Sequence, residues 1–198
     1  MALRHAVLAA LLGNELSGYQ LARLFDVNIS NYWHALPQQL YTELTKLESA
    51  GFVVGREVVQ RGRPNKRVYT LTEAGTAEMS AFIAGPSKPS AIRDDLLVKM
   101  QAAEAGDTER LIEQLEDRAA EAKGKIEQFE RRLSRARGEL DEDTFLIQSP
   151  WVGPYLVGLR GKAFEQEALD WCNRSADVLR ARLQDTATAS TSPTWKDR

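Results

Sequence analysis

The sequence predicts a mainly α-helical (α+β) protein of two domains, and three observations lead to this prediction. A short helix with one apolar face is followed by two strand-like segments joined by a basic turn. A stretch of prolines and small residues at 86–90 contains no apolar periodicity and predicts a linker. Beyond it, apolar residues repeat every seven positions over more than three heptads, which is typical of a coiled coil.

The composition is that of an ordinary globular chain from a reducing compartment. Of the 198 residues, 43% are hydrophobic and 27% are charged, and the net charge is −2. Cys172 is the only cysteine and can form no internal disulfide, so we expect a cytoplasmic protein. The apolar opening at 2–12 is too short to span a membrane, and no cleavage pattern follows it, so no membrane partner is expected.

The first 36 residues predict two helices and an irregular connection. Leu3, Val7, Leu8, Leu11 and Leu12 recur at helical spacing and predict the first helix. Ser17 and Gln20 have the Ser-x-x-Gln form of a capping box, so a second helix is expected to begin there. Trp33 lies in the connection that follows and is either a core residue or the wall of a ligand site.

The third helix is predicted to begin at Pro37 and to end before Gly51. Its apolar face consists of residues at spacings of four and three, namely Leu40, Leu44 and Leu47. The opposite face carries uncharged or basic side chains, namely Gln38, Thr42, Thr45, Lys46 and Ser49. A short helix with such a face fits the major groove of DNA.

Two strands are predicted after this helix, at 52–60 and 67–71. From Arg56 to Arg67 there are five Lys or Arg residues and one acid, Glu57, which gives a local net charge of +4. Such a hairpin fits a wing that contacts phosphate. The alternative is a solvated tip whose charges protect the sheet edges. Three helices and a wing form a winged helix-turn-helix, in which the third helix enters the groove.

Several blocks of this region have the order and spacing of a known family: Leu16–Leu21, Trp33, Gln39–Tyr41, Leu44, Leu47–Val53 and Gly62–Gly75. Over roughly the first 85 residues the chain resembles the PadR family of bacterial transcriptional regulators, and the remainder resembles that family's helical C-terminal domain. The resemblance implies an operator-binding homodimer, usually a repressor, with a phenolic acid, antibiotic or other planar aromatic molecule as effector. Pro37 departs from the family pattern, where a polar residue is expected, so no DNA contact is expected from it.

The remaining elements are predicted to be helices. They are a fourth helix at 73–83, a short helix at 91–105, a long helix at 108–140 and a last helix from 151 or 152 to about 183. Asp141–Asp143 and Ser149-Pro150 are predicted to break the helical pattern. The predicted organisation is therefore a DNA-binding domain at 1–85, a linker at 86–90, a helical coiled-coil dimerisation and effector domain at 91–185, and a disordered tail at 186–198.

The long helix carries an apolar seam at alternating spacings of four and three: Leu115, Ala119, Ala122, Ile126, Phe129, Leu133, Ala136 and Leu140. This seam predicts a homodimer, because one short antiparallel partner would not cover it. The predicted dimerisation residues are Leu115, Ile126, Phe129, Leu133 and Leu140. The alternative is packing against the last helix of the same chain, and one helix can serve both purposes.

Double-stranded DNA is the predicted partner of the third helix and the wing. Gln38, Gln39 and Thr42 are predicted to contact base edges, because glutamine can pair bidentately with adenine. The Tyr41 hydroxyl is predicted to reach a phosphate while its ring packs. Further phosphate contacts are expected from Lys46, Arg61, Arg63, Lys66 and Arg67, with Arg63 alternatively in the minor groove.

An aromatic cluster beyond the DNA-binding region favours control by a small aromatic ligand, such as a phenolic acid or a drug. We expect the effector site between the two domains, walled by Trp33, Phe145, Trp151 and Tyr155. Arg93 or Arg160 would hold a carboxylate of the effector. The alternative is that these aromatic side chains fill the core.

The sequence offers no convergent catalytic groups, so no enzyme, cofactor or metal is expected. His5 and His34 are the only histidines, and neither has metal-ligand spacing to Cys172. Three function classes remain: a ligand-responsive transcriptional repressor, a constitutive DNA-binding protein and a winged-helix protein-interaction module. The polar outward face of the third helix favours the first two, because a docking face would be more apolar and aromatic.

Overall fold

The computed structural model describes residues 2–29, 33, 35–60, 62, 65–87 and 93–191, and the structural statements below refer to these residues. The chain divides into two compact units, residues 1–90 and 91–198. Several predictions fall outside the described residues. They concern the wing arginines Arg61 and Arg63, the linker at 88–90 and the last part of the tail at 192–198.

The N-terminal unit consists of helices and a three-stranded antiparallel sheet. The helices are α1 (Ala2–Leu11), α2 (Gly18–Leu24, extended by a π-helical turn at Phe25–Ile29), α3 (Pro37–Ser49) and α4 (Glu73–Ala84). The strands are β1 (Leu16–Ser17), β2 (Val53–Val58) and β3 (Lys66–Leu71), in the order β1-β3-β2. The predicted winged helix-turn-helix is confirmed.

Hydrogen bonds at the helix ends explain why these segments begin and end where they do. The Ser17 hydroxyl accepts a hydrogen bond from the Gln20 N–H, while the Gln20 side chain accepts one from the Ser17 N–H, so the predicted capping box is confirmed. Thr72 caps α4 by accepting a hydrogen bond from the Gly75 N–H at 3.1 Å. Gly51 follows α3 with a φ of 75°, in the left-handed region that favours glycine.

Strand β1 was not predicted from the sequence. It has two residues, and Leu16 pairs with Tyr69 while Ser17 pairs with Val68. Two residues carry no periodicity, and this pairing depends on a strand about fifty positions later, so local patterns could not reveal it. As a result, the N-terminal end of α2 is attached directly to the wing.

The core of the N-terminal unit fixes the orientation of α3. Leu40, Leu44 and Leu47 are each 1% exposed and pack in one cluster with side chains of α1 and α2. Trp33 is partly buried against the same cluster. Its contact with this cluster supports the core interpretation of that tryptophan.

The C-terminal unit is helical. Its elements are α5 (Asp95–Gln101) with a 3-10 turn at Ala103–Ala105, α6 (Thr108–Arg137), α7 (Glu142–Gln148) and α8 (Val152–Thr191). Helix α6 ends earlier than expected because Gly138 adopts a φ of 62°. Helix α8 continues beyond the predicted end near Leu183, into the segment predicted to be disordered. No described helix is both long and apolar enough to cross a membrane.

The helical pattern is interrupted between Arg137 and Glu142, as predicted, and Glu142 then begins the short helix α7. The Asp141 side chain caps α7 by accepting a hydrogen bond from the Thr144 N–H at 2.9 Å. Hydrogen bonds from the Thr144 side chain and backbone hold the pKa of Asp141 below its ordinary value. Glu142 and Asp143 occupy the first turn, where the helix dipole favours negative charge. The acidic residues at 141–143 therefore mark the start of α7.

The apolar seam of α6 is covered by α8 of the same chain. Leu115, Ile126, Phe129 and Leu133 are all buried, whereas Leu140 lies beyond the end of α6 and is exposed. Helix α8 has 40 residues and α6 has 30, so a single partner is long enough to cover the seam. The expectation of an uncovered seam was therefore wrong for these four residues, and the intramolecular alternative describes their packing.

The close approach of α6 and α8 predicts opposite effects for two glycine substitutions. A Cβ at Gly161 would lie 2.4 Å from Phe129 Cζ, whereas a Cβ at Gly124 would meet no atom within 4 Å. We expect Gly161→Ala to lower the free energy of unfolding by about 1–3 kcal/mol through overpacking. As the matched control, Gly124→Ala should raise it by up to about 1 kcal/mol, because alanine is favoured within a helix. Urea unfolding followed by circular dichroism measures both, and equal effects would contradict the packing.

Candidate nucleic-acid interface

The face of α3 opposite the buried leucines is uncharged. Its residues recur at spacings of four, three and four, and all are exposed: Gln38, Thr42, Thr45 and Ser49. Tyr41 and Lys46 flank this group. We call these four residues the outward face of α3.

The three hydroxyl groups of the outward face all donate to backbone carbonyls of their own helix. Thr42 Oγ1 donates to the Gln38 carbonyl at 2.9 Å, Thr45 Oγ1 to the Tyr41 carbonyl at 3.1 Å, and Ser49 Oγ to the Thr45 carbonyl at 2.9 Å. Their protons are therefore in use, while their oxygen lone pairs and the threonine methyl groups remain exposed. Methyl groups suit contact with the C5-methyl group of thymine.

Gln39 has a structural role that the sequence analysis missed. Its Oε1 accepts a hydrogen bond from the Leu36 N–H at 2.9 Å, and Leu36, as the residue before the helix, has no side-chain acceptor of its own. Gln39 thus satisfies a donor at the start of α3, and its prediction as a base contact is weakened. The signal was available, because glutamine at the third helical position is a known capping residue. Gln38 has no side-chain partner among the described residues and is exposed.

Tyr41 packs against the start of α2. A Cβ at Gly18 would lie 2.2 Å from Tyr41 Cε1, so the ring lies directly over that glycine. Tyr41 as a whole is 48% exposed, so its ring packs on one side while the residue stays accessible to solvent.

Two wing arginines are paired within the N-terminal unit. Arg67 Nη2 lies 2.6 Å from Glu48 Oε1, and Arg56 Nη2 lies 2.8 Å from Glu15 Oε1. Arg67 was predicted to contact phosphate, but its guanidinium group joins the wing to α3. Lys46 is loosely paired with Glu43 at 3.9 Å, and Lys66 has no ion pair within the described part of the chain.

The Glu48–Arg67 pair is charged at neutral pH. The hydrogen bond from Arg67 holds the pKa of Glu48 below its ordinary value, with a further contribution from the Gly55 N–H, and the same bond raises the pKa of Arg67. A carboxyl group with a lowered pKa in the folded state stabilises the fold above its unfolded pKa. That stabilisation is lost as the pH falls through the lowered value, so acid weakens the attachment of the wing.

Of the predicted effector residues, the structure brings Phe145 and Tyr155 together. Their ring centroids are 4.7 Å apart, and the Tyr155 hydroxyl donates to Glu142 Oε2 at 2.7 Å. Tyr155 is 3% exposed, and this burial, followed by the bond to Glu142, raises its pKa. The two rings therefore pack against each other within the C-terminal unit, as expected if these aromatic side chains fill the core.

The other predicted effector residues have different surroundings. Trp151 and Arg93 are exposed, and the Arg160 guanidinium carbon lies 5.7 Å from the Phe164 ring centroid. Cys172 is buried in the core of the C-terminal unit, and burial raises its pKa. Within the described residues, no group of three or more His, Cys, Asp or Glu is placed to bind a metal ion.

A helical domain with an uncharged outward helix face beside a hairpin wing defines a winged-helix DNA-binding protein. Residues 7–81 match the family described as the transcriptional regulator PadR-like family, and residues 92–180 match the virulence activator alpha C-terminal family. The chain is 35% identical over 196 residues to the probable transcriptional regulator Rv1176c of Mycobacterium tuberculosis, covering 92% of this chain and 100% of that relative. This chain belongs to the PadR-like family of transcriptional regulators and is not an enzyme.

Further comparisons agree with this assignment. The negative transcriptional regulator PadR of Bacillus subtilis is 33% identical over 98 residues, which are 49% of this chain and 54% of that protein. The fold is similar to that of Bacillus subtilis PadR in complex with operator DNA, with a TM-score of 0.74, 24% identity and coverage of 90% and 99% of the two chains. The same protein in complex with p-coumaric acid gives a TM-score of 0.68 at 24% identity, over 90% and 96% of the chains.

The capping role of Gln39 predicts a loss of stability that Gln38 does not share. We expect Gln39→Ala to lower the free energy of unfolding by about 1 kcal/mol, because the start of α3 loses its hydrogen bond. Gln38→Ala is the matched control and should change it by less than about 0.5 kcal/mol. Urea unfolding of the full chain measures both. If Gln39→Ala unfolds at the wild-type urea concentration and loses only specific DNA binding, the original base-contact prediction is correct.

Proposed function

We propose that this regulator binds an inverted-repeat operator as a homodimer, represses transcription and is released from DNA by a small aromatic effector. The observation that carries the DNA-binding part is the exposed, uncharged outward face of α3 beside the wing. Repression is supported by the name of the negative transcriptional regulator PadR from Bacillus subtilis, to which the matching part of the chain is similar.

The outward face favours contacts with A·T base pairs. Gln38 can pair bidentately with adenine through its exposed side-chain amide. The exposed methyl groups of Thr42 and Thr45 suit thymine, because the hydroxyl groups already donate within the helix. Two such helices in a two-fold dimer require half-sites about one helical turn, or a multiple of it, apart.

The phosphate contacts are assigned to Lys46, Lys66, Arg61, Arg63 and the Tyr41 hydroxyl. Lys46 flanks the outward face and its side chain is largely exposed, and Lys66 lies at the start of β3. These cations contact any duplex equally, whereas Gln38 and the threonines depend on the base sequence.

Variants of these two groups should weaken DNA binding in different ways. Lys66→Ala and Arg63→Ala should weaken binding to every duplex and reduce the slope of log affinity against log salt by about 0.9 each. Gln38→Ala should cost about 1–3 kcal/mol of specific affinity and leave the slope unchanged. Fluorescence anisotropy measures this, with an operator selected by the wild-type protein from random duplexes and an unrelated duplex as control. Wing variants with wild-type affinity at low and high salt would refute the phosphate contacts.

A stripe on α8 is proposed as the dimer surface. Because the α6 seam is covered by α8, the predicted dimerisation residues Leu115 to Leu133 are not available at the surface. Val157, Phe164, Trp171 and Val178 recur at seven-residue intervals on α8, and three of them are exposed, at 44%, 39% and 51% for Val157, Phe164 and Val178. A seven-residue repeat of exposed apolar side chains suits a parallel or antiparallel helix of a second copy.

The exposed stripe of α8 and the covered seam of α6 should respond differently to an introduced charge. Phe164→Glu and Val178→Glu should give folded monomers, because these side chains are exposed in the single chain. Phe129→Glu should instead destabilise the domain by several kcal/mol, since its side chain is buried between α6 and α8. Sedimentation velocity at micromolar concentration and circular dichroism measure the two effects. A folded monomer from Phe129→Glu would restore the original α6 interface, and a monomeric wild-type protein would refute the dimer.

The effector is proposed to be an aromatic acid. Support comes from the structure of Bacillus subtilis PadR in complex with p-coumaric acid, and from the exposed aromatic side chain of Trp151 just before the start of α8. Arg160 or Arg93 would bind the carboxylate of the effector.

Release by an aromatic acid distinguishes the repressor from a constitutive DNA-binding protein. We expect p-coumaric acid to displace the labelled operator, whereas cyclohexanecarboxylic acid, which lacks the aromatic ring, should not. Arg160→Gln should raise the concentration of p-coumaric acid needed for release by about tenfold, as for loss of a charge-assisted hydrogen bond. The operator affinity of Arg160→Gln without acid serves as the control. If no phenolic acid or planar drug releases the operator, the constitutive alternative is favoured.

A further inference from the structure

The last turn of α3 is tied to the wing through one carboxylate oxygen. Glu48 Oε1 accepts a hydrogen bond from Arg67 Nη2 at 2.6 Å and another from the Gly55 N–H at 2.9 Å. Glu48 belongs to α3, Gly55 to β2 and Arg67 to β3. A single side chain of the DNA-contacting helix therefore holds both strands of the wing.

The surrounding residues are arranged to admit this contact. Strand β2 is at the edge of the sheet, so a backbone N–H that points away from β3 needs an acceptor from elsewhere, and Glu48 supplies it. A Cβ at position 55 would lie 2.4 Å from Arg67 Nε and 2.6 Å from Glu48 Oε1. Glycine at this position therefore leaves the space through which the ion pair passes.

Arg67 is also held on its own strand. Its guanidinium carbon lies 6.0 Å from the ring centroid of Tyr69, two positions along β3. The charge of Arg67 is compensated by Glu48 before any phosphate is present. A cation in this position adds little net charge for DNA, although it fixes the geometry of the wing.

We propose that Glu48, Gly55 and Arg67 form a latch that sets the distance and angle between the wing and α3, and that Glu48 and Arg67 are positioning residues for DNA binding. This inference rests on the proposed DNA-binding function. The outward face of α3 and the cations of the wing must reach base edges and phosphates at the same time. If the wing changes its position relative to α3, the base contacts of α3 and the phosphate contacts of the wing cannot both form.

A second ion pair in the wing provides a matched control. Arg56 lies on β2 and binds Glu15, which precedes β1, at 2.8 Å. This pair also joins an arginine of the wing to an acid of the same unit, but it does not involve α3. Its loss should leave the distance between wing and α3 unchanged.

The experiment compares operator affinity with affinity for an unrelated duplex across a range of salt concentrations. Arg67→Gln and Glu48→Gln should each weaken operator binding about tenfold, with the salt slope and the affinity for the unrelated duplex unchanged. Glu48→Gln is the decisive variant, because removal of an acid next to DNA would otherwise strengthen binding. The double variant Glu48→Gln/Arg67→Gln should bind the operator within about threefold of either single variant, because both substitutions break the same contact. Arg56→Gln should leave the preference for the operator intact.

Two results would overturn the latch while leaving the proposed function in place. One is a decrease in salt slope of about 0.9 in Arg67→Gln with tighter binding by Glu48→Gln, which identifies Arg67 as a phosphate contact. The other is a loss of operator affinity in the double variant close to the product of the two single losses, while circular dichroism shows that it is folded. If the wild-type protein itself selects no duplex and prefers none, the proposed function fails, and the latch fails with it.

Discussion

Burial of Leu40, Leu44 and Leu47 determines what α3 presents to solvent. Successive residues of an α-helix are rotated by about 100°, so burying these three leucines places Gln38, Thr42, Thr45 and Ser49 on the opposite side. Each fully buried leucine stabilises the fold by about 1.5–3 kcal/mol, which exceeds the contribution of a typical net hydrogen bond. The rotation of α3 is therefore fixed before DNA is encountered, and little further ordering is needed on binding. The capping bond of Gln39 fixes where the same helix begins.

The parts of this domain that the sequence predicted correctly depend on contacts between near neighbours. Ser17 and Gln20 are three positions apart, so the pattern of the capping box is visible in the chain itself. The parts that were missed depend on partners brought together by folding. Glu48 and Arg67 are 19 positions apart, and nothing local distinguishes an arginine that binds an acid from one that awaits phosphate. Gln39 is the exception. Its capping signal was local, but Gln39 was predicted to contact base edges together with its neighbour Gln38.

The C-terminal unit shows a different limit of sequence information. A seam with spacings of four and three establishes that a helix needs an apolar partner. Whether this partner comes from the same chain or from a second copy depends on the turn between the helices. Here α7 and its capping residue Asp141 return the chain so that α8 covers α6. Glu165 of α8 is also buried, and it binds Arg118 at 2.8 Å and Lys125 at 3.2 Å of α6. Apolar contacts tolerate sliding, whereas a buried carboxylate between two cations favours one alignment of the helices.

The distribution of charge explains how affinity and base preference are separated in the proposed DNA complex. The segment from Arg56 to Arg67 has a net charge of +4, yet Arg56 and Arg67 are compensated by Glu15 and Glu48. Residues 1–85 carry 8 Lys or Arg and 7 Asp or Glu, a net charge of +1, so the attraction for DNA comes from local cations. Such attraction is screened beyond about 8–10 Å at physiological salt. Because the outward face of α3 is uncharged, salt weakens the phosphate contacts and leaves the choice of base unaffected.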